Sequence, residues 1–222
     1  MNAPATTIER KLILIGGNAK ICASIIQDEC VFCYTAIHVF TRGIYEGPQA
    51  NCLLAHEQMA TANIALSIRR LVSESNSTFD MIVANTQPQS IINGMQRYDT
   101  LDFLTDLPLV LEISRIRKII VLGSTLSLLP IFRPSSYVKL KNAEFWLTAL
   151  YSGRYGTRLC YAFLPPLDSG KTLLASLACE SRASWARRLI GAFEGTDKMM
   201  FPSSISGIIS RALYNLRLQS TL

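Results

Sequence analysis

Five short apolar runs, separated by segments of helix length, constrain the fold of this chain more than any other feature. Runs of four to eight residues rich in Ile, Val, Leu and Phe are typical of buried strands in a parallel sheet. Strands that alternate with helical segments indicate βαβ units, whose right-handed crossovers favour a doubly wound sheet. The runs are KLILIG at 11–16, TAIHVF at 35–40, FDMIVAN at 79–85, RKIIVLGS at 117–124 and RLCYAFLPP at 158–166.

The segments between the runs predict further elements. A short third strand is expected at 51–55, an amphipathic helix from about His56 to Ser73, and one or two helices at 89–97 and 101–114. The clearest helix spans 136–156, with Gly153 and Gly156 as stop signals, and helices separated by EGTDKMMFPSS follow from about 171, with Ser203 or Ser204 as a helix N-cap. The sequence therefore predicts an α/β fold, a doubly wound parallel sheet with helices on both faces, in a single domain over residues 1–222.

Composition excludes several other classes of protein. About half of the 222 residues are apolar (49%) and only 17% are charged, which argues against a disordered chain. The N-terminus lacks the pattern of a signal peptide, and the longest apolar stretch, near 119–132, is interrupted by Gly, Ser, Thr and Pro. We therefore expect a cytoplasmic protein with no membrane partner.

The charge balance is modestly basic, with 22 Lys and Arg against 16 Asp and Glu, so that the net charge is 22 − 16 = +6. Basic residues are not concentrated with interleaved aromatic residues, so we expect no nucleic-acid partner. The charge suits a small molecule that carries phosphate.

The six cysteines are scattered, and most stand in apolar stretches such as RLCYAFL, where cysteine behaves as a small apolar residue. We expect reduced thiols that pack in the core. The alternative is a metal or redox site at Cys30-x-x-Cys33 with His38 nearby, but no second ligand pair follows at a suitable spacing. No metal is therefore predicted.

Polar or special residues follow four of the predicted strands. In a doubly wound sheet, ligands bind at the carboxyl ends of the strands beside the point where strand order reverses. Gly16, Gly17 and Asn18 follow the first run, where glycine lets the backbone approach a pyrophosphate at a helix N-terminus. The other three positions are Asn85, Ser124 and Pro165.

Tyr137 and Lys141 form a catalytic candidate with Ser124. A spacing of four places Tyr137 and Lys141 on one face of a helix, where an ammonium favours the phenolate. A free tyrosine has a pKa of about 10 and needs such a neighbour to exchange protons near neutral pH. The Ser124 hydroxyl is placed to bond a substrate carbonyl.

These motifs, in this order over most of the chain, resemble the short-chain dehydrogenase/reductase family. The order is a glycine-containing turn, an Asn-containing turn, a Ser, Tyr-x-x-x-Lys and a Pro-containing turn, each after its proper strand or in its proper helix. The resemblance implies a Rossmann fold that binds a nicotinamide dinucleotide and oxidises or reduces a small alcohol or carbonyl compound. It also implies that the helix of Tyr137 is a dimerisation helix, in a homodimer or homotetramer.

The resemblance assigns a role to each site residue. Tyr137 is the acid/base, Ser124 orients the substrate oxygen, and Lys141 holds the nicotinamide ribose and lowers the pKa of the tyrosine. Cofactor contacts fall to the turn after the first strand, to the start of the next helix, and to the other strand ends. These residues are Gly16, Asn18, Lys20, Ile21, Arg42, Asn85, Lys141, Pro165 and Thr172, with Ser169 as an alternative to Thr172.

The cofactor half of the pattern departs from the family. Lys20 and Cys22 stand where the second and third glycines of the motif are expected, and no acid follows the third strand near Ala55 and His56. The basic Arg42 after the second strand favours a 2′-phosphate, hence NADP over NAD. Lys20 either adds to that preference or fills the phosphate site, and in the second case the chain is a related protein without hydride transfer.

Simpler interpretations stay open for single residues. Ser124 can merely end a strand, Tyr137 can pack its ring at a helix start, and Lys141 can be a solvated lysine. His38 is expected to be a packed histidine with its hydrogen bonds satisfied, and His56 to start a helix.

Overall fold

The computed structural model of the protein describes residues 9–16, 19–28, 31, 33–41, 47, 53–58, 64–84, 89–92, 95–97, 99–128, 136–165 and 179–221. Nine strands and six α-helices lie in these ranges. The strands are β1 (Arg10–Ile15), β2 (Ala36–Thr41), β3 (Leu53–Gln58), β4 (Thr78–Val83), β5 (Gln89–Ile92), β6 (Met95–Arg97), β7 (Ile116–Ser124), β8 (Leu159–Leu164) and β9 (Met199–Met200). The helices are α1 (Lys20–Gln27), α2 (Ile64–Ser73), α3 (Asp99–Leu111), α4 (Ser136–Tyr155), α5 (Arg182–Gly191) and α6 (Ile205–Thr221), with 3₁₀ turns at Thr125–Leu128 and Gly156–Arg158.

Seven strands form one sheet in the order β3-β2-β1-β4-β7-β8-β9, and every pair in it is parallel. The chain first runs from β1 outward to β3, then returns to the other side of β1 and continues to β9. This order is that of a doubly wound Rossmann sheet, as the apolar runs predict.

The central strands are buried on both faces, because helices cover both sides of the sheet. One face packs side chains such as Ile13, Met81 and Val121 against α2, α3 and α4. The other face packs side chains such as Leu14 and Ile120 against α1 and α5. Burial on both faces explains why the runs are continuously apolar instead of alternating.

Two predictions of secondary structure are wrong, and one short strand was missed. His56 does not start a helix: it lies in β3, which runs to Gln58, and α2 begins only at Ile64. The predicted helix at 89–97 is instead an antiparallel hairpin of β5 and β6. The short strand β9, which joins the sheet edge beside β8, is not foreseen because two residues carry no periodicity.

The predicted helix at 136–156 is present as α4, one residue shorter. It ends at Tyr155, and the next residue, Gly156, has a φ of +62° in the left-handed region. Glycine adopts this conformation without the steric cost that a β-carbon brings, so Gly156 is the stop signal. Gly153 continues the helix and is not a stop.

Charged side chains tie together the amino ends of the central strands. The buried Asp80 of β4 accepts hydrogen bonds from Arg10 (2.6 Å) and the Tyr34 hydroxyl (2.9 Å). Arg10 also pairs with Glu194 (2.6 Å), and Arg117 lies 3.6 Å from Asp80. This set of residues is called the amino-edge network below.

Two further cations at the same edge bind the ends of helices and turns. The Lys118 ammonium donates to the carbonyl oxygens of Ala192 and Gly195 at 2.8 Å each, after the end of α5. Arg158 donates to two carbonyl oxygens after the end of α3. A helix C-terminus presents free carbonyl groups and partial negative charge, so cations there stabilise the fold.

His38 is packed as predicted, but its hydrogen bonds are not satisfied. Both ring nitrogens are buried, and within the described ranges neither has a hydrogen-bond partner. Burial, together with the nearby Lys11, lowers the pKa of His38 to about 4. The histidine is therefore neutral at physiological pH and occupies an apolar position on β2.

Among the described helices, none combines the length and apolar character that crossing a bilayer requires.

Candidate functional site

The carboxyl ends of β1, β4, β7 and β8 meet at one edge of the sheet. In the register, Ile15 lies opposite Val83, Val83 opposite Val121, and Ser124 opposite Leu164. Strand order reverses between β1 and β4, since β2 flanks β1 on its other side. The crevice beside this reversal is the place where doubly wound sheets bind ligands.

Gly16 directly follows β1 and has a φ of +80°, a conformation for which glycine is the default residue. Its amide donates to the Phe40 carbonyl oxygen of β2 (2.9 Å), and its own carbonyl accepts from the Ala19 amide (2.9 Å). The chain thus turns sharply at the carboxyl end of β1 and enters α1 at Lys20.

The N-terminus of α1 has no side-chain cap, because Ala19 occupies the cap position. The first amides of a helix have no intrahelical acceptor and carry partial positive charge. The backbone amides of Lys20 and Ile21 are therefore suited to an anion at the end of β1.

Lys20 and Cys22, both in the first turn of α1, differ in their exposure to solvent. Lys20 is exposed at the first position of α1, whereas Cys22 is fully buried in the core between α1 and the sheet. Burial raises the pKa of the Cys22 thiol to about 12, so it is an inert apolar residue. The Cys22 side chain thus packs in the core at the third position of α1.

Ser124 is the last residue of β7, and its side chain is nearly buried at the carboxyl edge. Its carbonyl oxygen accepts a hydrogen bond from the Ser127 hydroxyl (2.6 Å) in the following 3₁₀ turn. This bond fixes the direction in which the chain leaves the strand.

Tyr137 and Lys141 both lie on α4, which begins at Ser136. The side chain of Tyr137 lies outside the described part of the structure. Lys141 is completely buried, and its ammonium donates to the Leu122 carbonyl oxygen of β7 (3.2 Å) and to Glu144 Oε2 (2.5 Å). Lys141 is therefore not the solvated lysine of the simpler interpretation.

Glu144 is a residue that the sequence reasoning missed. It stands three positions after Lys141 on the same helix face and is completely buried, and its Oε1 has no hydrogen-bond partner among the described residues. Burial lowers the pKa of Lys141 and raises that of Glu144, and each charge opposes the shift of the other. The signal that was available is an acid inside the apolar run AEFWLTALY.

Tyr161 and Gly123 together hold α4 against the sheet. The sequence did not predict either residue as part of the site. The Tyr161 hydroxyl of β8 donates to the backbone carbonyl oxygen of Lys141 (3.2 Å). Its ring crosses the neighbouring strand at Gly123, where a β-carbon would overlap the end of the ring. The absence of a side chain at Gly123 therefore lets Tyr161 reach the helix.

Several predicted site residues lie outside the described ranges: Asn18, Arg42, Asn85, Ser169 and Thr172, as does Cys30 of the alternative metal or redox site. Pro165 is buried and follows β8 directly. Arg42 follows the last residue of β2, and Asn85 follows β4 after Ala84. In the sequence, therefore, Arg42 comes directly after β2 and Asn85 comes two residues after the last residue of β4.

Comparison with solved structures shows that this chain has the Rossmann fold of the short-chain dehydrogenases and reductases. A short-chain dehydrogenase from Burkholderia cenocepacia, solved with NADP, superposes with a TM-score of 0.66 at 14% identity, over 97% of this chain and 98% of that chain. Aldohexose dehydrogenase from Thermoplasma acidophilum gives 0.65 at 14% identity, over 91% and 94%.

The same fold also occurs in an epimerase. UDP-N-acetylglucosamine 4-epimerase from Bacillus cereus superposes with a TM-score of 0.59 at 12% identity, over 93% of this chain and 85% of that chain. Comparison of the sequence with protein-family models and with curated proteins finds no match. The likeness is one of fold.

Proposed function

We propose that this protein is an NADP(H)-dependent oxidoreductase of the short-chain type that reduces a small carbonyl compound or oxidises an alcohol. The observation that carries the proposal is the arrangement at the carboxyl edge. Ser124 ends β7, Tyr137 and Lys141 lie four residues apart on the helix that packs on β7, and the Gly16 turn follows β1 at the same edge of the sheet. Fold alone does not decide among dehydrogenases and epimerases, so these residues carry the assignment.

In this proposal the Tyr137 hydroxyl gives a proton to the substrate oxygen in reduction and takes it back in oxidation. The Ser124 hydroxyl donates a hydrogen bond to the same oxygen and orients it. The Lys141 ammonium stabilises the phenolate of Tyr137, which brings its pKa toward neutral pH. The nicotinamide cofactor supplies or accepts the hydride when bound.

The turn after β1 fits a dinucleotide phosphate. Gly16 places the backbone close to the edge, and the uncapped amides of Lys20 and Ile21 offer donors to an anion. We assign Gly16, Asn18, Lys20 and Ile21 to the pyrophosphate. Lys20, which is exposed, adds a positive charge there and does not fill the core.

The remaining cofactor contacts are proposed from chain position. In the sequence, Asn85 and Pro165 come shortly after β4 and β8, and we assign Thr172 or Ser169 to the carboxamide. Arg42 comes directly after β2, the position from which a cation meets a 2′-phosphate, and this supports NADP over NAD.

The test compares the wild-type enzyme with Tyr137→Phe. NADPH oxidation is followed with a panel of small aldehydes and ketones, and Tyr137→Phe is expected to lower kcat by about a hundredfold or more, since it removes the proton donor. Tyr151→Phe, on the same helix but farther from the carboxyl edge, is the matched control and keeps turnover. Full activity of Tyr137→Phe, or no wild-type turnover with NADPH or NADH on any substrate, contradicts the proposal.

A second candidate is a protein of the same fold without hydride transfer, either a regulatory subunit or a catalyst of non-redox acid/base chemistry. The observation that favours it is Lys141, whose ammonium is already bound to Glu144 and to the Leu122 carbonyl oxygen. Thermal shift separates the two functions. A ligand at a hundredfold its Kd stabilises the folded state by about 2.7 kcal/mol, so no shift with millimolar NADPH or NADH favours this candidate.

We also propose that the protein is cytoplasmic and forms a homodimer or homotetramer. Cys22, Cys33, Cys160 and Cys179 are free thiols, as is usual in a reducing compartment. Helix α4 exposes the large apolar side chain Leu150 (70%), a surface suited to contact with a second copy.

A further inference from the structure

We propose that Glu144 is a positioning residue that keeps the Lys141 ammonium charged in its buried place on α4 and thereby lets Lys141 act on Tyr137. This inference rests on the proposed function, because it concerns the residue pair that the proposed reaction uses. It names a residue that no motif in the sequence points to.

The geometry of α4 places Glu144 and Tyr137 on either side of Lys141. Tyr137 lies four residues before the lysine and Glu144 three residues after it, so all three share one helix face. Side chains on a helix lean toward its N-terminus. Glu144 therefore leans toward Lys141, and its carboxylate reaches the ammonium at 2.5 Å.

A buried ammonium needs such a partner. Lys141 and Glu144 are both fully enclosed. In that environment an isolated ammonium gives up its proton, and an isolated carboxylate takes one up, instead of staying charged. The Leu122 carbonyl oxygen, at 3.2 Å, offers a second acceptor but no compensating charge. A neutral amine would not stabilise the phenolate of Tyr137, so the acid/base function of the tyrosine depends on Glu144.

Among the described residues, the other titratable side chains near this pair are the hydroxyls of two tyrosines. Tyr161 of β8 bonds the backbone carbonyl oxygen of Lys141, and Tyr214 of α6 lies beyond the ring of Phe145. Glu144 Oε1 is buried with no hydrogen-bond partner in the described ranges, so the carboxylate is oriented toward the lysine and not toward a polar network.

The experiment measures proton affinity without turnover. In protein carrying ¹³C at lysine Cε and tyrosine Cζ, pH titration by NMR follows Lys141 and Tyr137, with Lys141→Arg and Tyr137→Phe used for assignment. In Glu144→Gln the titration midpoint of Lys141 is expected to fall by about one pH unit or more, and that of Tyr137 to rise by about one. Glu144→Asp, which retains the charge, is expected to recover most of both shifts.

A control and a second readout make the result specific. Glu112→Gln removes an exposed carboxylate that pairs with Arg154 of α4. This variant should leave the titrations of Lys141 and Tyr137 unchanged. With an active alcohol substrate, the midpoint of the pH profile of kcat/KM should move upward in Glu144→Gln along with the titration of Tyr137.

Each outcome decides the proposal. If Lys141 titrates identically in wild type and Glu144→Gln, or if Lys141 shifts while Tyr137 does not, the positioning role of Glu144 is refuted. If Glu144→Gln does not fold, the wild-type and Glu144→Asp titrations decide: a Lys141 that is neutral at pH 7 in both refutes the role. Absence of wild-type turnover refutes the proposed oxidoreductase function, whereas the two NMR shifts still support the role of Glu144.

Discussion

Substitution of Gly123 by alanine tests the packing that holds α4 against the sheet. A β-carbon on Gly123 would overlap the Cζ and hydroxyl oxygen of Tyr161. The ring has no free direction in which to move, because it is fully buried and makes edge contacts with Phe145 (5.5 Å between centroids) and Phe163 (4.8 Å). The ring or the strand must therefore shift.

The expected cost follows from two contributions. Overpacking of a dense core costs about 1–3 kcal/mol. Displacing the Tyr161 hydroxyl from the Lys141 carbonyl oxygen adds about 1 kcal/mol for the lost hydrogen bond. We expect Gly123→Ala to lower the free energy of unfolding by about 2–4 kcal/mol, which for a chain of this size lowers Tm by roughly 5–15 °C.

The assay is urea denaturation of four proteins: wild type, Gly123→Ala, Tyr161→Leu and the double variant. Leucine lacks the atoms that a β-carbon on Gly123 would meet. In the Tyr161→Leu background, Gly123→Ala should therefore cost less than about 0.5 kcal/mol, since contacting residues are strongly coupled in such a cycle. Gly153→Ala is the matched control: nothing lies within 4 Å of its β-carbon, and it should stabilise α4 by up to about 1 kcal/mol.

Two results would refute this reasoning. The first is a Gly123→Ala protein as stable as the wild type. The second is an equal cost of Gly123→Ala in both backgrounds, which would mean that Tyr161 is not the residue in conflict with the new methyl group.

Three further predictions concern charge, pH and assembly. Asp80→Asn should lower the free energy of unfolding by about 2–4 kcal/mol, because it leaves Arg10 and its neighbours beside a buried neutral group. The control is Arg70→Gln, which breaks the exposed pair of Arg70 with Glu74. In the same urea assay it should change the free energy of unfolding by less than about 0.5 kcal/mol. Burial lowers the pKa of His38 to about 4, so between pH 6.5 and 4 the unfolded chain binds a proton on this histidine that the folded protein does not bind. The free energy of unfolding should therefore fall as pH falls from about 6.5 toward 4. His38→Phe should flatten that part of the pH–stability curve, and an unchanged curve would contradict the role of His38. Leu150→Glu should convert the oligomer to a monomer in sedimentation velocity, and an unchanged mass would exclude this face of α4 from the interface.

The central sheet could be predicted from the sequence because burial on both faces leaves an unambiguous pattern. Strands β1, β2, β4, β7 and β8 coincide with continuous apolar runs, and their order follows from handedness. The hairpin at 89–97 could not be predicted, since its strands of four and three residues are too short to show a period of two.

Some residues of the candidate site could be predicted from the sequence, and others could not. Tyr137, Lys141 and Ser124 could be selected because their spacing relates them along the chain. Glu144 and Tyr161 could not. The importance of Glu144 depends on the burial of the Lys141 ammonium that it pairs with, and that of Tyr161 depends on a hydroxyl that reaches α4 from a different element of the fold. The cofactor residues after β1, β2 and β4 remain predictions.

The amino-edge network has a consequence for how such a fold can change. Arg10 and Arg117 of this network, together with Lys118 and Arg158 at the same edge, hold carboxylates and carbonyl groups opposite the candidate site, so part of the basic excess of the chain is committed to holding the scaffold together. The anchoring of the strands and the proposed binding of a ligand thus depend on separate sets of side chains. Loops at the carboxyl edge can be exchanged, in evolution or by grafting, without weakening the ties that keep the strands in register.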